Sequence, residues 1–429
     1  MSSSYDTDNI NSPSNTDYNF SPRQALIGAQ MLFVAFGALV LVPLLTGLNP
    51  SVALFTAGIG TLIFQFITRG QVPVFLASSF AFIAPISYGV QTWGLAATTG
   101  ALAAAGLLYV AISFAIRAFG AGWLHRILPP VVVGPVIMVI GLSLAGVAIN
   151  MATGVAGSNQ IFPKGASLIL ATITLIPVII AVVFGKGMIR ILPIIIGIIV
   201  GYISAFIIGP LFGVDFINFD SVTNAPWFAI PPFVAPEFNW AAILFILPVA
   251  IAPAIEHFGD IMAISGVTKR NYIKQPGIHK TLLGDGIATT AAGLLGGPPN
   301  TTYSEVTGAV TLTKAFNPAI MTWAAIFAIT LAFVGKLGGF LSTIPMPVMG
   351  GIMILMFGMV TMVGVSILVK VDDLTEARNM VIASVILVIG VGGLNVPFGD
   401  NLVLGGIGLA GIVGVLINLA LPNNSSNSE

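Results

Sequence analysis

The sequence has no cysteine, three histidines and few charged residues, which make up only 7% of its 429 positions. Without cysteine the chain can form neither disulfides nor thiolate metal sites. The histidines (His125, His257 and His279) lack the spacing of zinc ligands, so we expect neither a metal site nor a cofactor. Fifteen basic and fifteen acidic residues leave no net charge, which argues against a nucleic-acid partner.

Apolar sequence is abundant instead. Hydrophobic residues make up 56% of the chain, and its mean hydropathy is +1.02. Many apolar runs reach about 17 residues or more, long enough to cross a bilayer as a helix. The first 22 residues contain no apolar segment typical of a cleavable signal peptide. We therefore predict a polytopic α-helical membrane protein with disordered tails at 1–22 and 422–429.

We predict an all-α membrane protein with fourteen transmembrane segments. Two of them, 74–89 and 300–313, are short, follow Pro73 and Pro299, and mix small polar residues with apolar ones. The remaining segments are 24–46, 51–68, 95–116, 130–150, 166–185, 189–210, 241–263, 281–296, 319–335, 348–368, 379–396 and 402–421.

The distribution of basic residues supports this count. With both termini cytoplasmic, thirteen of the fifteen Lys and Arg residues fall in inside connections, and only Lys164 and Lys336 fall outside. This asymmetry follows the positive-inside rule. We expect a multi-pass protein of the cell (inner) membrane, with both termini cytoplasmic. The connection 211–240 would be extracellular, and its Trp227 and Trp240 would lie at the membrane interface.

The two halves of the sequence resemble each other at an offset of 226. An odd number of segments per half makes this a 7+7 inverted repeat, as in many secondary transporters. The two short segments correspond, and each is predicted to form a strand followed by a half-helix that begins near Ser78 or Ser304. Non-helical backbone at that depth must line a cavity or be buried in protein. The matching positions are Gly58, Gly60, Gly70, Pro73 and Ser78 with Gly284, Gly286, Gly296, Pro299 and Ser304.

Four carboxylates lie in or beside the long apolar stretches: Glu256, Asp260, Asp285 and Glu305. A charge at the centre of a transmembrane helix costs at least about 2.5–3.5 kcal/mol, so each is a candidate functional residue. Glu256 and Asp260, four residues apart, share one helix face, and no basic residue lies at matching depth. Glu305 begins the second half-helix, where its alternative role is to cap the positive end of the helix dipole.

Two of these polar residues have open alternatives. His257 points about 100° away from Glu256 on a helix, so it either reaches the cavity or hydrogen-bonds a neighbouring span. Asp285 either acts directly or pairs with Lys280 or backbone. Two converging carboxyls suit a planar ligand with alternating N–H and C=O groups, and they suit proton coupling. They do not suit an anion.

Five segments resemble the nucleobase:cation symporter family, also called nucleobase–ascorbate transporters, and its uracil:proton symporter branch in particular. The resemblance implies a core domain (24–120, spans 1–4, and 241–336, spans 8–11) and a gate domain (121–210, spans 5–7, and 337–421, spans 12–14). The segments are VAFGALVLVPLLTGLNP (34–50), SSFAFIAP (78–85), EHFG (256–259), PNTTYSE (299–305) and PMPVMGG (345–351).

The same resemblance implies the roles of individual residues. Glu256 and Glu305 would hydrogen-bond a pyrimidine, Phe80 and Ser304 would offer backbone groups, and Tyr303 would support the pocket. Proton coupling would involve Glu305, Glu256, Asp260 and His257. Relatives also suggest a homodimer through the gate domain.

Some positions depart from the family pattern. Asp260 stands where the uracil carriers have His, and Asp there is familiar from purine-transporting relatives. Val306 and Thr307 follow Glu305 where Asn is commoner, and Phe357 replaces a Tyr. Purine carriers usually have Gln at the position of Glu305, so Glu305 favours uracil.

We therefore expect a proton-coupled transporter, and not an enzyme, that imports uracil or a close relative by alternating access. The alternative within the family is a xanthine or purine permease. The outside classes are an ion channel and an intramembrane enzyme. A channel would pass current without saturation by nucleobase, and an enzyme would turn substrate over without transport.

Overall fold

The computed structural model describes residues 16–120, 122, 127–157, 159–398 and 402–422. Residues 1–15 and 423–429 of the predicted tails, and His125, lie outside this part. Among the described residues, eight helices are long and apolar enough to cross a membrane, and three shorter apolar helices accompany them. The prediction of an all-α membrane protein is confirmed.

Among the described residues, the first half of the chain contains eight α-helices and three short strands. They are α1 (Ala25–Thr46), α2 (Pro50–Ile67), β1 (Leu76–Ser78), α3 (Ile83–Phe119), α4 (Pro130–Ala152), β2 (Val155–Ala156), β3 (Asn159–Gln160), α5 (Lys164–Phe184), α6 (Met188–Ile191), α7 (Pro193–Phe212) and α8 (Asp220–Thr223).

The described part of the second half contains nine α-helices and three strands. They are α9 (Trp240–Ile246), α10 (Ile251–Thr268), α11 (Ile278–Leu294), β4 (Asn300–Thr302), α12 (Ser304–Thr313), α13 (Ala319–Ala332), α14 (Gly335–Ser342), α15 (Met346–Leu368), α16 (Ala377–Val391), β5 (Asn395–Phe398), β6 (Leu402–Gly405) and α17 (Gly406–Ala420).

Local sequence explains where several helices begin and break. Asn49 caps α2 by accepting a hydrogen bond from the Ser51 N–H at 2.9 Å, and Pro50 occupies the first helical position. The predicted segments 74–89 and 95–116 join as α3, which is broken only at Gly94. There φ is +84°, a value that glycine adopts without a Cβ clash.

The two short segments cross each other as extended backbone. Strand β1 pairs antiparallel with β4 in the register Leu76 to Thr302, Ala77 to Thr301 and Ser78 to Asn300. Every one of these residues is buried. Because each strand satisfies backbone groups of the other, non-helical backbone is tolerated at this depth. The predicted extended backbone is confirmed.

The helices that follow the strands begin close to the predicted positions. Ser304 is the first residue of α12, with Tyr303 as its extended N-cap residue. Ser78 still belongs to β1, however, and a 3-10 turn over Phe80–Phe82 leads into α3. Helix α3 therefore starts later in the sequence than predicted, and Ser78 is not its N-cap residue.

Close helix crossings depend on glycine. A Cβ added to Gly286 of α11 would lie 2.9 Å from the carbonyl oxygen of Gly106 in α3. A Cβ on Gly134 of α4 would lie 2.9 Å from the carbonyl oxygen of Gly364 in α15. Small residues let helix backbones approach in this way inside membranes. The pairs α3–α11 and α4–α15 therefore pack backbone to backbone.

Residues 16–22 of the predicted disordered tail lie against the helices. The ring of Phe20 stacks on Trp323 of α13, with centroids 4.7 Å apart. The Trp323 indole N–H donates to the Ser21 carbonyl at 3.0 Å, and Asp17 pairs with Arg270 at 2.7 Å. This part of the tail therefore has a defined position, because the Phe20 ring stacks on Trp323.

Candidate functional site

The centre of the molecule combines two strand ends with two helix starts. Phe80 follows β1 and opens the turn into α3, while Ser304 follows β4 and opens α12. Helix N-termini carry unpaired backbone N–H groups and the positive end of the helix dipole. Glu305, in the first turn of α12, places a carboxylate at one of these positive ends.

Two threonines fix the strands to the helices beneath them. The Leu76 N–H donates to the Thr61 hydroxyl of α2 at 2.9 Å. The Thr289 hydroxyl of α11 donates to the Asn300 carbonyl at 2.7 Å. Hydrogen bonds from α2 and α11 therefore position the paired strands, and with them the start of α3 and α12.

Three aromatic rings form one wall of the site. Phe80 lies between Tyr303 and Phe357 of α15, with ring centroids 6.0 Å away in each case. The Phe80 and Phe357 rings meet edge to face at 89°, a favourable aromatic geometry. Phe357, which replaces the family's Tyr, thus contacts the site by packing alone.

Glu256 and Glu305 both reach the space between the helices. Each is partly exposed, and each lines a cavity of its own, of about 360 Å³ for Glu256 and about 400 Å³ for Glu305. Helix α10 packs against β4 and α12, and the Glu256 carboxylate interacts electrostatically with Asp260 and Glu305. The fold therefore packs the helices that carry Glu256 and Glu305 against each other, while the two carboxylates line separate cavities.

Asp260 serves as a link between α10 and β4. It is 4% exposed, and the Thr302 hydroxyl donates to its Oδ2 at 2.8 Å. A hydrogen bond to a charged group is stronger than one between neutral groups. Asp260 thus fixes the strand relative to the helix that carries Glu256, a contact that sequence reasoning did not anticipate.

His257 points away from the cavity toward α11. It is fully buried, its Nε2 lies 3.0 Å from the Thr281 hydroxyl, and its Nδ1 lies 3.1 Å from Oδ2 of Asp285. Of the alternatives left open, His257 therefore bonds a neighbouring span. Asp285, also fully buried, pairs with His257, and among the described residues it forms no ion pair with Lys280.

The protons of the His257–Asp285 pair are assigned from the hydrogen-bond geometry around it. Thr281 donates its only hydroxyl proton to the Ile278 carbonyl at 3.0 Å, so it must accept from Nε2 of His257. Nε2 therefore carries a proton. A bare carboxylate facing an unprotonated Nδ1 would be repulsive and uncompensated inside the protein. One proton thus lies on the Nδ1–Asp285 contact, and the pair is neutral overall.

Several buried hydroxyls at the strand crossing have no hydrogen-bond partner among the described residues: Ser78, Ser79, Thr301 and Tyr303. Unpaired buried polar groups are uncommon in native proteins and call for an explanation. Groups of this kind next to two helix N-termini are available to hydrogen-bond a polar ligand. Of these residues, the sequence analysis assigned a site role only to Tyr303.

The described residues contain no group of three or more His, Cys, Asp or Glu side chains that could hold a metal ion. The site is thus built from carboxylates, hydroxyls, aromatic rings and helix N-termini. That set can recognise a neutral, planar molecule through its hydrogen-bonding edge.

Proteins with similar folds have been solved. The chain resembles SLC26A9 with a TM-score of 0.69 and 13% identity, over 93% of this chain and 64% of that chain. A second matching structure, that of murine Slc26a9, is described as an anion transporter. The chain also resembles the transmembrane domain of the cyanobacterial bicarbonate transporter BicA, with a TM-score of 0.63 and 16% identity, over 92% of this chain and 97% of that one. At these identities the likeness concerns the fold alone.

Curated sequences give a nearer match. The chain is 56% identical over 401 residues to a "Probable uracil permease" of Pasteurella multocida, covering 93% of this chain and 94% of that protein. It is 54% identical over 418 residues to a protein of the same name in Haemophilus influenzae, covering 97% and 99%. A "Uracil permease" of Escherichia coli is 38% identical over 394 residues, covering 92% and 90%.

A sequence profile of the permease family Xan_ur_permease matches residues 22–399, nearly the whole apolar part of the chain. The chain therefore belongs to the xanthine/uracil permease family, a family of membrane transporters and not of enzymes.

Proposed function

We propose that this protein imports uracil, or a closely related nucleobase, together with protons across the cell membrane. The observation that carries the proposal is the near-full-length identity of 54–56% to two proteins named as probable uracil permeases. The geometry supports it independently, because a pair of carboxyls beside two helix N-termini suits a neutral pyrimidine edge.

The proposed binding mode uses residues from both short segments. The Glu256 carboxylate accepts from a ring N–H, since an ionised carboxylate only accepts hydrogen bonds. Backbone groups at Phe80 and Ser304 bind the remaining edge, and the ring of Tyr303 covers the pyrimidine. Glu305 binds the cargo when protonated, because a neutral carboxyl both donates and accepts.

We propose fourteen crossings arranged as a 7+7 inverted repeat. Helix contacts support this arrangement because a contact between two helices has an equivalent between the corresponding helices of the repeat. The contact of α2 with α13 has its counterpart in that of α11 with α3, and the contact of α5 with α7 has its counterpart in that of α16 with α17. Leu76 also pairs with Thr302, its own equivalent at the offset of 226, as a two-fold relation requires.

The proposed cycle is alternating access with both termini in the cytoplasm. The core domain (24–120 and 241–336) carries the strands and both carboxylates, and it moves against the gate domain (121–210 and 337–421). Protonated Glu305 stabilises the loaded outward state. Its deprotonation toward the cytoplasm weakens binding and releases the cargo.

The test is uptake of labelled uracil into proteoliposomes under an imposed pH gradient, repeated with a sodium gradient and with excess xanthine. We expect Glu256→Gln to abolish binding, and Glu305→Gln to retain binding while uptake no longer responds to pH. Glu237→Gln, in the exposed outer connection, is the control. Wild-type uptake by both site variants would refute these roles.

The same assay decides between uracil and purine specificity. Asp260 is the feature shared with purine carriers, but its carboxylate bonds Thr302 and is nearly buried. That contact gives Asp260 a task in holding β4 that does not depend on the cargo. If xanthine competes as well as unlabelled uracil, the purine alternative replaces our proposal.

A further inference from the structure

Two separate cavities contain the two carboxylates that we assign to the site. The α10 cavity, of about 360 Å³, lies between α10 and helices α4 and α15, and it contains Glu256 and Asp260. The α12 cavity, of about 400 Å³, lies between α12 and helices α1, α5, α7 and α15, and it contains Glu305. Among the described residues, none lines both cavities. Each carboxylate that we assign to the site thus has its own opening.

We propose that the two openings carry different cargoes: the nucleobase leaves through the α10 cavity, and the proton leaves Glu305 through the α12 cavity. This inference rests on the proposed function. A basic side chain stands at the rim of each route, Lys370 just after α15 and Arg190 in α6. Both residues are exposed and lie in connections that we place in the cytoplasm.

The lining of the cavities supports the assignment. Both volumes fall within the range of about 300–1,000 Å³ typical of small-molecule sites, so size does not separate them. In the α10 cavity, Asp260 offers a second carboxylate between Glu256 and Lys370. A nucleobase must keep its N–H and C=O groups hydrogen-bonded as it leaves. The α10 cavity contains one carboxylate more than the α12 cavity.

The α12 cavity is more apolar between its carboxylate and its rim. Glu305 and Arg190 are its charged residues. Among the other residues that line this cavity, only Thr311 has a hydroxyl, and it already donates to the Thr307 carbonyl at 2.7 Å. A proton needs only water beside Glu305, whereas a nucleobase would lose most of its polar contacts there. This lining fits proton release and does not fit the cargo.

The charged and titratable groups around Glu305 are few. Helix α12 packs against α1, α6 and α10. Helix α1 carries no ionisable residue, α6 carries Arg190, and α10 carries Glu256, His257 and Asp260. Tyr303 adjoins Glu305 in sequence. Of the groups on these helices, only Arg190 shares the α12 cavity with Glu305.

The chain offers a matched pair of positions for testing the two routes. Gly259 lies three residues after Glu256 and lines the α10 cavity, and Gly308 lies three residues after Glu305 and lines the α12 cavity. A Cβ added at either glycine meets no atom within 4 Å. Because the chain has no cysteine, Gly259→Cys and Gly308→Cys would each carry a single thiol.

The experiment adds a membrane-impermeant methanethiosulfonate reagent from the cytoplasmic side and measures two kinds of transport. Net uptake driven by a pH gradient requires proton release, whereas exchange of labelled for unlabelled uracil does not. We expect modified Gly308→Cys to lose net uptake and keep exchange, and modified Gly259→Cys to lose both. Excess uracil should slow modification of Gly259→Cys and leave that of Gly308→Cys unchanged.

Loss of exchange in both modified variants, or equal protection of both thiols by uracil, would overturn the inference. Ala263→Cys and Thr311→Cys, one turn nearer the rim of the same cavities, replace either variant that is inactive before modification. Absence of uracil transport by the unmodified wild type would refute the proposed function instead. The two failures are therefore distinguishable.

Discussion

Removing one member of the buried His257–Asp285 pair should cost far more stability than removing both. Leucine in place of His257 leaves an unpaired carboxylate beside Phe64, whose ring lies 6.4 Å from the histidine ring. Leucine in place of Asp285 leaves Nδ1 of His257 without a partner. In the double variant neither polar group remains, and Thr281 keeps its own bond to the Ile278 carbonyl.

The magnitudes follow from the burial of both groups. Both side chains are fully buried, so water cannot replace a lost partner. Breaking a buried ion pair from one side costs about 3–5 kcal/mol, which applies to His257→Leu. An unsatisfied neutral nitrogen costs about 1–3 kcal/mol, which applies to Asp285→Leu. Replacement of both by apolar residues is often close to neutral, so the coupling free energy should exceed about 1 kcal/mol.

The measurement is a double-mutant cycle on purified protein in detergent, with unfolding followed by the fluorescence of the five tryptophans. Asp285→Asn is the control, since its amide can donate to Nδ1 while the Nε2 contact to Thr281 stays intact. We expect it to keep near-native stability and an unchanged pH profile of uptake. Additive losses in the cycle would refute the pairing, and a shifted pH profile would show that its proton takes part in coupling.

Two further contacts allow smaller tests. Thr302→Val removes the hydroxyl that donates to Asp260 at 2.8 Å and should cost about 1.5–3 kcal/mol of unfolding free energy, whereas Thr301→Val removes a buried hydroxyl without a partner and should cost less. Equal losses would contradict the role of Asp260 in holding β4. Asp17→Asn breaks a pair in which the Asp17 side chain is 83% exposed, so it should change stability by less than about 1 kcal/mol. A larger loss in the same unfolding assay would mean that the docked tail contributes more to stability than this one contact.

The sequence predicted a strand and a half-helix in each short segment because local and global signals agree there. Pro73 and Pro299 stand at the start of the two segments, and the residues after them favour extended backbone. Two short segments at equivalent positions of a repeat also point to one shared site. The same logic predicted that Glu256 and Glu305 share one site, and their roles in binding and proton transfer stay predictions.

The pairing of Asp285 could not be predicted, because it depends on how α11 is rotated against α10. That rotation depends on contacts with helices that are far away in sequence, such as the close approach of Gly106 in α3 to Gly286 in α11. Periodicity on one helix gives no information about such a rotation. For the same reason, sequence alone left open whether His257 faces the cavity.

Docking of the segment before α1 was missed for a different reason. Its polar composition indicates disorder, and only the partner surface of α13 shows why the segment is held. Phe20 alone is a weak signal until the position of Trp323 is known. The composition of a segment indicates how much apolar surface it can bury by itself. It gives no information about the surface of another helix against which the segment packs.

Glu305 determines the electrostatics of the helix end at which it lies. Helix N-termini concentrate positive partial charge, which by itself favours an anion. Here Glu305 occupies the first turn of α12 and adds a negative charge at that point. An ionised Glu305 repels an anion, and a protonated Glu305 supplies a hydrogen-bond donor to a neutral ring. Under the proposed function this helix end is a proton-dependent site for an uncharged molecule, so Glu305→Gln should keep the hydrogen-bond donor while removing its dependence on pH.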